Sequence, residues 1–250
     1  MMGETAFHRG ELVPAAEYLE RSRTLYDSQR HHAHAWLYGQ DPGVALLSHG
    51  SWALWHLGHA DQALSWSREA QALSQAGSHP FSIPLAVEYA SILHQLRGEG
   101  QASQERAEAA ITLATEQRFG EWLPLANSSR ARTLVEKGEV NEGIAQMRQG
   151  LAAYRATGSV LFVSYYLTLL ARAYASAGQA DAALAALDQA LATVERTEGR
   201  LWEAEVYRLK GNFCSAVASK GMKHRLKPVF FKASPLPGSG KPGHWNCGRL

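Results

Sequence analysis

Gly58–Leu64 reads GHADQAL, and Gly178–Leu184 reads GQADAAL. The two heptapeptides lie 120 residues apart, and the interval divides into equal steps: Gly58, Gly98, Gly138 and Gly178 recur every 40 residues. Fixed columns accompany them. Five residues after each glycine stand Ala63, Ser103, Gly143 and Ala183. Twelve after stand Ala70, Ala110, Gly150 and Ala190. Seven before stand Ser51, Ser91, Ala131 and Ala171. All three columns hold only small residues. Gly10 fits as an earlier copy, with Ala15 and Ser22 at the two later offsets. Self-similarity at a period of this size is the signature of a helical-repeat solenoid.

The columns have a physical reading. Each glycine ends one helix and permits the sharp turn into the next. Small residues at fixed offsets let the paired helices approach closely. The order small, glycine, small, small at these offsets is that of the tetratricopeptide repeat, a unit of about 34 residues. The extra length here falls at the end of the second helix and its exit loop, where Gly77, Gly120, Gly158 and Gly199 stand. HEAT-type units have a period near 40, but the small-residue columns favour the tetratricopeptide pattern. The expected fold is all-α: a right-handed solenoid of antiparallel helix hairpins over residues 1–212, with about four full repeats and partial ones at each end.

Composition bounds the function. Apolar residues make up 46% and charged residues 19%, as in an ordinary soluble domain. No apolar run is long enough to span a membrane, and the first twenty residues contain no hydrophobic secretory segment. Cys214 and Cys247 are too few for a disulfide framework and have no zinc spacing. The expected compartment is reducing and cytoplasmic. The formal charge of +2 conceals an asymmetry. All 23 acidic residues and sixteen of the 25 basic ones lie within residues 1–205, which carry a formal −7. Residues 206–250 hold nine basic groups and no acid.

Along the chain, residues 11–29 read as the second helix of a repeat whose first helix is almost missing. The connector SQRHHAHAWLYGQDPG (28–43) closes on Asp41 as an N-cap with Pro42 at the first helical position. Pro84 and Pro124, again 40 apart, sit near the starts of first helices, where a missing N–H costs little. A last helix begins near Arg200. After about Asn212 the rhythm stops. Residues 221–250 hold four prolines and five glycines, so the basic stretch 213–250 is expected to stay disordered. Two explanations stand for it: a frameshifted or truncated gene, or a real basic arm.

Four segments carry a family resemblance: HHAHAWLYGQDPGVALLSHGSWALWHLGHADQAL (31–64), HQLRGEGQASQERAEAAITLATEQRF (94–119), EGIAQMRQGLAAYRATG (142–158) and EGRLWEAEVYRLKG (198–211). They resemble the C-terminal tetratricopeptide-like repeats of large bacterial signalling proteins. Those proteins place a class III adenylate/guanylate cyclase domain, or another input module, before an AAA-type ATPase. The resemblance covers about residues 5–212 and stops at the tail. It implies a regulatory protein-interaction scaffold, with no catalytic residue carried over, because neither the paired metal-binding aspartates of the cyclase nor the phosphate loop of the ATPase is present. A truncated cyclase or ATPase gene product, active only when whole, is the alternative. The sensor arm of a repeat-containing transcriptional regulator is a third.

Several features imitate chemistry. PGSGKPG (237–243) has Pro235 where a phosphate loop needs its first glycine and Pro242 where it needs Ser or Thr. His31, His32 and His34 lack further ligands at metal spacing. Trp36, Trp52, Trp55, Trp66, Trp122 and Trp202 read chiefly as core, with Trp55 open to a groove assignment. Arg68, Glu69, Arg106 and Glu108 read as a solvated outer face. The basic tail, with Phe230, Phe231 and Trp245, is too weakly charged to make nucleic acid an expected partner. No cofactor, metal or membrane is expected. The expected partner is a protein or peptide in a concave groove, and the oligomeric state is left open. In this repeat class the first-helix residue six before each glycine faces the groove. Those positions hold Trp52, Ile92, Arg132 and Arg172, with His56, Gln95 and Glu136 beside them. Paired guanidiniums suit a carboxylate. The alternative is that the arginines pair with nearby acids such as Glu88 or Glu136.

Overall fold

The computed structural model describes residues 2–31, 33–77, 79–116 and 122–218. The segment 219–250, which holds most of the expected basic tail, and with it PGSGKPG, lies outside the described residues. Thirteen helices and no strand occupy the described chain. They are α1 (Met2–His8), α2 (Leu12–Leu25), α3 (Ser28–His31), α4 (His34–Tyr38), α5 (Pro42–His56), α6 (Ala60–Gly77), α7 (Ser82–Leu96), α8 (Gly100–Glu116), α9 (Trp122–Glu136), α10 (Val140–Ala156), α11 (Val163–Ser176), α12 (Ala180–Thr197) and α13 (Glu203–Ala218).

The 40-residue glycines join α5 to α6, α7 to α8, α9 to α10 and α11 to α12. Each adopts the left-handed conformation, with φ of 91°, 78°, 94° and 73°. Each turn makes the same two bonds. The glycine N–H donates three residues back, to Trp55, Gln95, Val135 or Ala175, and the next N–H donates five back, to Leu54, His94, Leu134 or Tyr174. This double closure satisfies carbonyls that a helix end otherwise leaves open. Gly10 repeats it between α1 and α2. The carbonyl of the residue after each glycine then accepts from the residue at plus five, so one turn ends a helix and starts the next.

The small columns lie where the two helices of a hairpin touch. All members at minus seven, plus five and plus twelve around the four glycines are buried. Ser91 Oγ donates to the Ser103 carbonyl at 2.9 Å, joining the minus-seven and plus-five columns directly. A Cβ on Gly143 would stand 2.8 Å from the Ala131 carbonyl oxygen, and one on Gly150 would stand 2.9 Å from Ser128 Oγ. The earlier copy departs from the pattern at Ser22, which is exposed. Its first helix is present as α1, short but with Gly3 buried at minus seven, so residues 2–8 are not the near-absent element that the sequence suggests.

First helices are buried on most sides, as in α5 from Gly43 to Ala53 and α7 from Ser82 to Leu93. Second helices bury one stripe, as Ala183, Ala186, Leu187, Ala190 and Val194 do on α12. The outer face carries Arg68, Glu69, Arg106 and Glu108, all exposed. The connector contains α3 and α4, and Asp41 caps α5 by accepting from Gly43 and Val44 N–H at 2.8 and 3.1 Å. Of the exit glycines, Gly158 is left-handed, Gly77 is the last residue of α6, and Gly199 follows the left-handed Glu198. Gly120 lies outside the described residues. The last helix runs to Ala218, six residues past the expected break at Asn212. Cys214, on α13, is not a free thiol.

The two ends of the described fold meet. The Leu201 N–H donates to the His8 carbonyl at 3.3 Å, and the Trp52 and Trp202 rings lie 6.0 Å apart, edge to face. No described helix is long and apolar enough to cross a membrane. Replacing Gly143 with Ala should force α9 and α10 apart and destabilise the fold by about 1–3 kcal/mol in urea unfolding. Ala183→Leu should do the same to α11 and α12. Unchanged unfolding midpoints for both variants would refute the close-approach reading of these columns.

Candidate functional site

The seven groove candidates divide. Trp52 is fully buried. Its ring stacks on Tyr89 at 4.4 Å, and its Nε1–H donates to the Tyr89 carbonyl at 2.9 Å. Ile92 is fully buried in the same core. Neither presents a surface to a partner, which corrects the expected apolar half of a groove. The cause is visible in the packing: Phe162 and Trp202 lie against the Trp52 ring and fill the space that an open concave face would leave. Of the other tryptophans with described side chains, Trp66 and Trp202 are buried, Trp55 is half-buried beneath the Arg97 guanidinium, and Trp36 is exposed rather than core.

Gln95 is buried, and its Oε1 accepts from the Tyr165 hydroxyl at 2.9 Å, a link between α7 and α11. His56 Nδ1 lies 2.8 Å from the Trp52 carbonyl, to which it donates, and burial holds the imidazole below its ordinary pKa. These two candidates tie the core together.

Arg132, Glu136 and Arg172 remain as polar groups with access to solvent. Arg132 Nη2 and Glu136 Oε1 form an ion pair at 2.5 Å, one turn apart on α9. Arg172, one repeat later on α11, is partly desolvated, which lowers its pKa, and its charged neighbours are Glu205, Arg132, Arg208 and Glu136. Arg208 grips Glu205 through Nε and Nη2 at 2.6 and 2.8 Å, a two-pronged contact that raises the arginine's pKa. Three guanidiniums therefore gather with two carboxylates. Glu205 and Arg208 were missed because α13 has no following glycine turn to register it. Their signal was the acid–base spacing of three residues on the last helix.

Glu88 does not pair with an arginine. It is fully buried, its Oε1 accepts from Ser129 Oγ at 3.1 Å, and its Oε2 has no partner. Burial pushes its pKa up to about 8, only partly offset by the Ser129 bond. At neutral pH the carboxyl is held protonated. His31 Nδ1 accepts from the Asp27 N–H at 3.0 Å, and among the described residues no group of three potential ligands gathers for a metal.

Compared with protein-family models and with curated proteins, the chain matches none.

The Glu88 geometry fixes a pH dependence. The folded pKa stands above the ordinary 4.5, so this group's contribution is fully present below about 4.5 and is lost as pH rises toward about 8. Glu88→Gln should remove that slope, leaving the variant more stable than the parent at pH 8 and nearly level with it at pH 4.5. Parallel stability curves for the two proteins across that window would contradict the assignment.

Proposed function

We propose that this chain is a tetratricopeptide-like, right-handed solenoid that serves as a protein-interaction module in a cyclase- or ATPase-linked signalling system. It performs no catalysis of its own. It binds an acidic segment of a partner where α9, α11 and α13 bring their arginines together. The observation that carries this reading is the local charge: Arg132, Arg172 and Arg208 against Glu136 and Glu205, in a body with a formal −7 over residues 1–205. A locally positive patch on an acidic body selects acidic partners and repels others. Partial desolvation of Arg172 strengthens any carboxylate contact that it makes, and a planar guanidinium offers two parallel donors.

Support for the architecture comes from the hairpins hinged every 40 residues and from the resemblance over residues 5–212. The mode of binding differs from the one the columns suggest. With Trp52 and Ile92 in the core, the partner needs no apolar anchor between the first helices, and recognition is electrostatic. The signalling context rests on the resemblance alone. The truncated cyclase and the regulator sensor arm are separated from it by what the neighbouring reading frames encode.

The test uses a fluorescent peptide rich in Glu, with a lysine-rich peptide of the same length as control. Anisotropy should show binding of the acidic peptide that weakens with salt. The double variant Arg132→Ala, Arg172→Ala should lose roughly tenfold or more in affinity while keeping its helical circular dichroism. Equal binding by parent and folded variant would dismiss the arginine cluster as the recognition site.

A further inference from the structure

A cavity of about 580 Å³ opens among the N-terminal ends of α7, α9 and α11, away from Arg132 and Arg172 in the later halves of their helices. Its size falls in the range of small-molecule sites, about 300–1,000 Å³. Two distant parts of the chain contribute to its wall: His8 from α1 on one side, and Thr197, Glu198 and Gly199 at the end of α12 on the other. The two sides touch where Leu201 N–H donates to the His8 carbonyl.

The interior is aromatic and its hydrogen-bonding capacity is mostly spent. His49 Nδ1 lies 2.7 Å from the Ala45 carbonyl, so this nitrogen carries the proton. The Tyr89 hydroxyl, 2.8 Å from Nε2, must then donate to it. Both rings offer the cavity little but their apolar surfaces, and Phe162 adds a third. His8 differs. Its ring lies 5.4 Å from His49 and 6.2 Å from Phe162, yet neither of its nitrogens makes a hydrogen bond among the described residues. Burial keeps both imidazoles neutral at physiological pH, with pKa values lowered to about 3 for His8 and about 4 for His49.

The rim is acidic. Glu198 is the one non-glycine residue with a positive φ among the described residues, at 56°. This left-handed residue is the C-cap that ends α12, so the helix terminus itself sets the Glu198 backbone at the cavity edge. Its carboxylate is largely exposed, and its ion pair with Arg9 is long, at 4.0 Å. Arg9 itself is engaged by Glu11 at 3.1 Å. Among the described residues the cavity therefore offers the Glu198 carboxylate, an unused imidazole and several ring faces, with Glu4 also in its lining, and its one described cation, Arg9, is paired with acids.

We propose that this cavity binds a small organic amine in its protonated form. The ammonium sits between Glu198 and His8, and an aromatic or apolar body lies against Phe162, Tyr89 and Leu125. An ammonium has three donors and no acceptor, which matches a carboxylate together with a neutral imidazole nitrogen. Ring faces attract the same charge. An anion would meet that carboxylate, and the one described cation of the lining, Arg9, is already paired with Glu11. Because the ligand touches α1 and the 197–199 turn together, it also fastens the first described helix to the last part of the fold. This inference stands on different residues from the arginine cluster and does not depend on it.

The test is calorimetric titration and thermal unfolding of the full chain with three probes of one shape: phenethylammonium, 2-phenylethanol and phenylacetate. The ammonium should bind and raise the melting temperature, as any ligand selective for the folded state does. The alcohol and the acid should do neither. Glu198→Gln should weaken the ammonium roughly tenfold. Glu198→Lys should abolish its binding and admit phenylacetate instead. Glu198 is a surface residue, so both variants should fold, and their melting temperatures without ligand check this. Absence of ammonium binding, equal binding of all three probes, or unchanged affinity in Glu198→Gln would overturn the proposal.

Discussion

Two backbone bonds at each left-handed glycine set the terms for the rest of the molecule. The glycine N–H and the one after it both turn back to the helix just finished, while the carbonyl of that second residue already belongs to the next helix. The chain therefore reverses within about three residues, and the paired helices have no slack to separate. Side chains at the contact must be small, and the columns around Gly58, Gly98, Gly138 and Gly178 are small for this reason. Ser91 bonding the Ser103 carbonyl, and Gly143 lying against the Ala131 carbonyl, are the same constraint at two positions.

Hairpins hinged alike still need something to fill the space between their first helices. Here it is aromatic. Trp52 stacks on Tyr89, Phe162 and Trp202 lie edge-on to it, and Tyr165 reaches from α11 to Gln95 on α7. Polar groups with access to solvent are accordingly displaced from the middle of the first helices to two places around them. One gathers guanidiniums on α9, α11 and α13. The other keeps a carboxylate and neutral rings around a cavity where the two ends of the described fold touch. Their opposite electrostatic character makes them candidates for different ligands.

The sequence made the hinges and the contact columns legible, because both arise from local backbone constraints that repeat at fixed spacing. Asp41 and Pro42 were legible for the same reason: a cap acts within three residues. The filled interior was not. Trp52 and Trp202 are 150 positions apart, and no periodicity joins them, since Trp202 precedes a helix that no following glycine registers. Assigning the minus-six positions to a groove assumed an open concave face. Trp52 and Ile92 are themselves the residues expected of a closed one, and only Arg132 and Arg172 kept polar surroundings. Arg132 pairs with Glu136 as one alternative had it, whereas Glu88 turns to Ser129, because its position on α7 faces the next first helix rather than solvent. Gly3 was readable in hindsight as a fifth member of the minus-seven column, but α1 is too short to announce itself by pattern.

Amide hydrogen exchange at the glycine turns tests the central claim most directly. His59, Glu139 and Gln179 follow their glycines on the exposed surface, where an amide in an ordinary loop exchanges quickly. If the double closure holds the hairpins, the amides of these residues and of Glu99 should exchange only when the whole fold opens, all four with similar protection. Exchange of these four amides at the rate of an unstructured chain would contradict the account, because the turns would then be loose connectors and the columns would lack the constraint that explains them.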